Sequence, residues 1–422
     1  MPPTRDTLEH VFREEYGRII ATLIRISGSF DLAEEALQEA FASAITNWEN
    51  DGTPQNPGAW LTTVAHRKLL DFVRREKTRT DKQPQLEYET GRLQADAEFL
   101  ALEEALENTD DRLRLIFTCC HPTLNQEAQV ALTLRTLGGL STCEIARAFL
   151  VPETTLAQRL VRAKNKIRVA RIPYQVPALE VLPQRMASVQ AVVYLIFNEG
   201  YTATSGEGLM RQDLCVEAIR LGRLLCELLP NEPENLGLLA LILLQDSRRR
   251  SRISSAGELI TLEEQDRSLW DRNEIQAGLR LVENALRRGR AGPYQMQAAI
   301  AAVHAEASTA AETDWPQIVA LYAELMRVNP SAVVALNHAA AVAMSAGCEQ
   351  GLRLAEAAGA AGKLDQYYFF HAARADLLRR LDRTEEARTA YTRALELTTN
   401  QVEQRYIRRR LSEMPGTAIF NG

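Results

Sequence analysis

Apolar residues recur at spacings of three and four along almost the whole chain, and one-by-one alternation is nearly absent, which predicts an all-α fold. Residues 31–48 read as a first well-marked helix. Asp31 can cap it, Glu34 and Glu35 suit the positive end of its dipole, and Leu32, Ala36, Leu37, Ala40, Phe41 and Ile45 form its apolar stripe. Its opposite face is acidic and amide-rich. A turn-rich stretch follows at 50–57, and a second helix is expected over about 58–77, with Trp60, Leu61, Val64, Leu69, Phe72 and Val73 inward and Arg67, Lys68, Arg74, Arg75 and Lys77 outward. Trp60 fits a core position as well as a stacking one.

Residues 139–168 have a different pattern, two short amphipathic helices joined by a tight break. Ser141, three positions before Glu144, has the spacing of a capping box, and the helix it opens would bury Ile145, Ala146 and Phe149. Leu150, Val151 and Pro152 leave room only for a turn. Thr154 or Thr155 can then open a second helix with Leu156, Leu160 and Ala163 inward and Gln158, Arg159, Arg162, Lys164, Lys166 and Arg168 outward. This is a helix-turn-helix pattern.

Charge sharpens that reading. Between residues 141 and 171 seven basic side chains face two acidic ones, a net of +5 within a chain of net −6. Positive charge gathered on an acidic protein is what attraction to phosphate requires, although a solvated helix face has the same composition. Composition otherwise excludes more than it suggests. The six cysteines form no CxxC pair and no cluster with metal spacing, so they read as reduced, buried thiols. No nucleotide-binding or hydrolase motif occurs, and the six histidines are scattered; neither an enzyme, a metal nor a cofactor is expected. With no apolar signal core at the N-terminus and no run of about 18 apolar residues, a soluble, cytoplasmic protein away from membranes is expected.

The chain divides by charge into a helical block at 5–80, an acidic linker at 81–111, a block at 112–171 holding the helix-turn-helix, and an Ala- and Leu-rich helical array at 172–422. The linker has ten carboxylates against Lys82 and Arg92. It reads as a flexible soluble connector, and equally as a negative segment able to follow a nucleic-acid channel.

The order of these parts resembles an extracytoplasmic-function sigma factor of bacterial RNA polymerase. The resemblance rests on DLAEEALQEAFASAITNW, PGAWLTTVAHRKLLDFVRRE and GLSTCEIARAFLVPETTLAQRLVRAKNKI, and covers about two fifths of the chain. It implies that Asp31, Glu34, Glu35, Gln38 and Phe41 contact the clamp helices of core polymerase, with the flap as a second contact. It further implies that Asn47 to Asn56, with Trp60, His66, Arg67, Arg74 and Arg75, engage the minus-ten strand as promoter DNA opens. Thr154, Thr155, Gln158, Arg159 and Arg162 would read the minus-thirty-five element in the major groove, with Lys164, Lys166 and Arg168 on phosphates. Two departures stand out: Arg67 where the family often has Asn, and Thr154-Thr155-Leu156-Ala157-Gln158-Arg159 where it often has Gly-Thr-Val-Lys-Ser-Arg. The promoter sequence therefore cannot be borrowed from relatives. A conventional helix-turn-helix regulator with an adaptor domain, independent of polymerase, shares the DNA-binding half.

The tail of about 250 residues resembles the C-terminal extension, with tetratricopeptide-like repeats, of one group of these factors. Residues 314–330, 333–347 and 367–399 look like repeat helices, with Ala387, Tyr391 and Ala394 at the small-aromatic-small spacing. From Pro330 to Thr399 is 69 residues, close to two repeats of about 34. Such an array implies a regulatory domain, with an intramolecular contact to the DNA-binding half as one route. Residues 192–212 break the pattern. They read as a helix end followed by a polar loop in which Asn198, Glu199, Tyr201 and Arg211 are candidates for a ligand or interdomain contact, or simply surface.

Overall fold

A computed structural model describes residues 5–80, 110–149, 151–203, 205–206, 208–255, 257–289 and 291–414; the side chains of 5–14, 75–80, 110, 147–148 and 205–206 fall outside the description. The expected acidic linker lies outside the described residues up to 109. The chain forms two compact units, which meet between Val193 and Tyr194.

The first unit begins with α1 (Arg5–Ser27), α2 (Phe30–Asp51) and α3 (Pro57–Thr80), each packed on the other two. Tyr16, Ile19, Ile20, Leu37, Trp48, Leu61 and Leu69 are fully buried between them. The cap of α2 is Ser29, whose Oγ accepts the Leu32 N–H at 3.3 Å, so Asp31 lies in the first turn instead of capping it. The same helix outruns its expected end and carries Asn47 on its last turns, because nothing before Gly52 breaks it. Gly52 does, at φ +84°, where an L side chain is strained. Asn56 then opens α3, its Oδ1 accepting the Ala59 N–H at 3.0 Å.

Next come α4 (Asp110–Cys119), α5 (Gln126–Thr136), α6 (Thr142–Ala148) and α7 (Glu153–Val169). The capping box at α6 forms as expected: the Ser141 N–H donates to Glu144 at 2.7 Å, and the Glu144 N–H donates to Ser141 Oγ at 3.1 Å. Helix α7 starts at Glu153 behind Pro152, with no side-chain cap, so neither Thr154 nor Thr155 opens it. Leu156, Leu160, Ala163 and Ile167 are its buried stripe. Asp111 is buried rather than part of a solvated connector, paired with Arg25 at 2.8 Å and Arg114 at 2.9 Å. The Tyr174 hydroxyl donates to the Ala21 carbonyl at 2.8 Å, lacing the chain beyond α7 to α1.

The unit boundary falls within α8 (Leu182–Tyr201). The second unit continues with α9 (Gln212–Leu228), α10 (Pro233–Asp246), α11 (Arg272–Leu286), α12 (Pro293–Glu306), α13 (Trp315–Val328), α14 (Ala332–Ala346), α15 (Cys348–Gly359), α16 (Tyr368–Arg380), α17 (Thr384–Leu397) and α18 (Gln401–Ser412), and from α9 onward each helix packs on the next. Asp271, Asp314, Ser331 and Asn400 cap their helices through side-chain oxygens. Ala387, Tyr391 and Ala394 are buried on one face of α17. At Gly237 the helices approach so closely that a Cβ would stand 2.6 Å from the Gln295 backbone nitrogen. The only sheet among the described residues is a two-residue parallel pair, Ser205–Gly206 with Thr399–Asn400. Asn400 completes it by donating its amide to the carbonyls of Ala203 and Gly208, both at 3.0 Å, which joins segments nearly 200 residues apart.

Candidate polymerase- and promoter-binding surfaces

The acidic face of α2 survives folding only in part. Asp31, Glu35 and Gln38 are exposed and Phe41 is half-buried. Glu34 is drawn inward, with Lys164 Nζ at 2.8 Å from one carboxylate oxygen and Arg135 at 3.7 Å from the other. The same ammonium reaches Asp31 at 2.9 Å. Lys164, expected beside Lys166 and Arg168 on phosphates, therefore joins the first helical block to the recognition helix in this structure. Nothing local signals that contact, since its partners lie 130 and 133 positions apart.

On α3, Trp60, Arg67 and Arg74 are seven positions apart and so share one helix face. Trp60 stands edge-on to the buried Trp48, ring centroids 5.5 Å apart, and stays half-buried. It is part of the packing and of the surface at once. Arg67 and Arg74 are exposed and His66 is half-buried, while the Arg75 side chain lies outside the described residues. Asn47 and Asn56 are exposed at the near end of this face, with Asn56 engaged in its cap.

The outward face of α7 is open. Thr154, Thr155, Gln158, Arg162, Lys166 and Arg168 are exposed, and several of them line one groove with Asn125 and Glu127 at the start of α5. Arg159 is half-buried and pairs with Glu127 at 3.0 Å. Arg162 donates to Gln158 and Arg168 to Asn165, at 3.3 and 2.8 Å. Such contacts along one helix are weak and yield readily to a better partner.

The adjacent thiols are structural. Cys119 and Cys120 are buried against Thr136 and Thr133, and burial raises both, Cys120 to about 12. Among the described residues no group of His, Cys, Asp and Glu could hold a metal, and no helix is long and apolar enough to cross a membrane.

The first part of the segment expected as a polar loop is helical, because α8 runs to Tyr201 and so carries Asn198, Glu199 and Tyr201, while the described residues from Thr202 to Arg211 are non-helical. Arg211 pairs with Glu199 at 3.3 Å, and its backbone N–H donates to the Gly200 carbonyl at 2.7 Å. The Arg252 guanidinium covers the Tyr201 ring at 3.6 Å. These residues are held in place rather than left loose on the surface.

An acidic helix, a Trp-led basic helix and a helix-turn-helix with an open basic face define a sigma-70-type promoter-specificity subunit. The Sigma-70 region 2 model matches residues 11–79 and the Sigma-70, region 4 model residues 114–167. Residues 185–286 match a family of unknown function, DUF6596. The chain belongs to the extracytoplasmic-function sigma factors, in the form that carries a helical C-terminal extension. It is 44% identical to the uncharacterized protein R00370 of Rhizobium meliloti (strain 1021) over 395 residues, 94% of this chain and 93% of that protein. It is 27% identical to the ECF RNA polymerase sigma factor SigK of Mycobacterium ulcerans (strain Agy99) over 161 residues, 38% of this chain and 81% of that one. SigK of Mycobacterium bovis (strain BCG / Pasteur 1173P2) is 26% identical over 152 residues, 36% of this chain and 78% of its own. No solved structure matches.

Proposed function

We propose that the chain binds core RNA polymerase through Asp31, Glu34, Glu35, Gln38 and Phe41 at the clamp helices, and opens promoter DNA at the minus-ten element with the face of Trp60, Arg67 and Arg74. It reads the upstream element with Thr154, Thr155, Gln158, Arg159 and Arg162, performs no covalent chemistry, and acts in the cytoplasm. Residues up to about 80 form the first promoter-binding domain, 112–171 the second, and the extension beyond, a tetratricopeptide-like array, modulates them. The observation that carries this reading is the open basic face of α7, set within the same compact unit as the acidic face of α2.

Co-purification with core polymerase is the first test, repeated with Glu35 and Gln38 replaced by Lys. The intact chain should be retained and the variant lost; an intact chain that binds promoter DNA alone and ignores core would instead be a conventional regulator. The extension is tested by promoter-directed transcription from a chain ending at Val193, which keeps Tyr174 against α1 and Arg185 against the Phe117 carbonyl. Increased output identifies an inhibitor, lost output a required part, and unchanged output removes the modulatory role.

A further inference from the structure

Residues 114–167, the region 4 match, are fastened to α1 just outside both of their ends. On the near side Asp111, only 4% exposed, accepts from Arg25 Nε at 2.8 Å. On the far side the Tyr174 hydroxyl lies 2.8 Å from the Ala21 carbonyl and 3.2 Å from that of Asp111. Ala21 and Arg25 are one helical turn apart, so a single turn of α1 holds both the entry and the exit of this domain. Between the two fastenings Lys164 and Arg135 meet Glu34, and a Cβ on Gly17 of α1 would stand 2.9 Å from the Leu137 carbonyl.

The far fastening belongs to a connector, since the region 4 match ends at 167 and the match to the family of unknown function begins at 185. Helix α7 ends at Val169, and Arg171, at φ +49°, turns the chain in a conformation that L side chains rarely adopt. Tyr174 then docks on α1, and Arg185, in the first turn of α8, donates to the Phe117 carbonyl near the end of α4. Arg185 thus anchors the connector on the region 4 domain, while Tyr174 hooks it to α1. Burial, and after it Asp111, holds the Tyr174 phenol far above its usual range, so the hydroxyl remains a donor at physiological pH.

If the chain reads both promoter elements, this packing cannot persist. Lys164 of α7 touches the first turns of α2, and α3, which carries the minus-ten face, packs along α2. Helices of 22 and 24 residues span about 33 and 36 Å. Elements named for positions ten and thirty-five lie about 25 base pairs apart, about 85 Å of B-form DNA. The two readers must part before both can engage.

We propose that residues 171–185 are a strap, anchored by Arg185 and hooked by Tyr174, that holds the region 4 domain closed on α1 until core polymerase draws it away. The strap rests on the promoter-specificity reading and places a restraint in the connector itself, before the helical array begins. Opening gives up the Tyr174 contact to α1 together with the pairs Asp111–Arg25 and Lys164–Glu34, so loss of one of them shifts the balance toward the open form.

Spin labels at Asp71→Cys on α3 and Val169→Cys on α7, both exposed positions, read the separation by pulsed EPR in the full chain, with the two native thiols Cys143 and Cys348 replaced by Ser. The free protein should give mainly a short distance, and saturating core polymerase a longer one. Tyr174→Phe keeps the ring and removes the hydroxyl. It should raise the long-distance fraction of the free protein by about threefold or more, the shift expected from one lost hydrogen bond. Arg185→Gln should act in the same direction and carries the test if Tyr174→Phe fails to fold. Promoter-directed transcription at limiting core should rise by a similar factor in both, with the upstream base preference unchanged, whereas a merely structural role would lower it. A separation unmoved by both substitutions, lowered transcription, or labels that stay close while core polymerase is bound would overturn the strap alone. Core polymerase that ignores the intact chain would overturn the promoter-specificity reading, and the strap with it.

Discussion

Lys164 on the recognition helix places its ammonium 2.8 Å from the Glu34 carboxylate, and both side chains are only 13% exposed. A charge-assisted contact of this kind, shielded from water, contributes about 1–2 kcal/mol. It spends a residue of the expected polymerase face on the expected DNA-reading domain. If core polymerase takes Glu34, this pair must first part.

Lys164→Ala should therefore bind core polymerase more tightly in the absence of DNA, by about threefold or more, with the advantage shrinking as salt rises. Fluorescence anisotropy with labelled protein reads this directly. Lys166→Ala, exposed and outside the pair, is the control and should leave DNA-free affinity unchanged. Unchanged or weaker binding by the Lys164 variant would refute the claim that the contact opposes polymerase.

Four of the six thiols should resist modification in the native protein. Burial raises Cys119, Cys120, Cys215 and Cys226, with Cys120 and Cys226 brought to about 12, so almost no thiolate is present at neutral pH. Titration with a chromogenic disulfide should count at most two reactive groups, Cys143 and Cys348, until denaturant is added. Rapid reaction of four or more would mean that the helices around Cys119 and Cys120 open readily.

His304 should make the second unit acid-sensitive. Burial first, then Arg248 and Arg267, lower it from 6.5 to about 3, so the unfolded chain takes up a proton that the folded one refuses. Stability is unaffected above pH 7 and falls as pH drops from about 6.5 toward 3, with a slope approaching one proton, about 1.4 kcal/mol per pH unit at its steepest. Carboxylates titrate in the lower part of this window as well, so the comparison is with His304→Gln. Urea midpoints between pH 7 and 5 should fall less steeply for the variant; parallel curves would contradict the assignment.

Gly237→Ala should destabilise the second unit by about 1–3 kcal/mol, since the added methyl meets backbone at Gln295 and not a flexible side-chain end. Gln295 cannot easily retreat, because its backbone N–H and side-chain amide both donate to Glu234, at 3.1 and 2.9 Å. Urea unfolding followed by tryptophan fluorescence measures the loss; a change below about 0.5 kcal/mol would show that the helices separate at little cost.

What the sequence determined by itself was whatever neighbouring residues decide. Ser141 and Glu144 close their capping box because both are within one turn, and the stripe of Leu156, Leu160 and Ala163 points inward because helical spacing puts it there. The same locality misled at α2, where Asp31 and Ser29 are both competent caps and only the path of the chain chooses Ser29. It also misled at residues 198–201, where polar side chains read as a loop but remain helical. Tertiary structure alone decided the long-range pairings. Lys164 could answer phosphate or Glu34 with equal chemistry, and Asp111 could belong to a solvated run or to a buried pair with Arg25. Charge is read from one residue, but the partner that satisfies it is fixed by which distant helices the hydrophobic faces bring together.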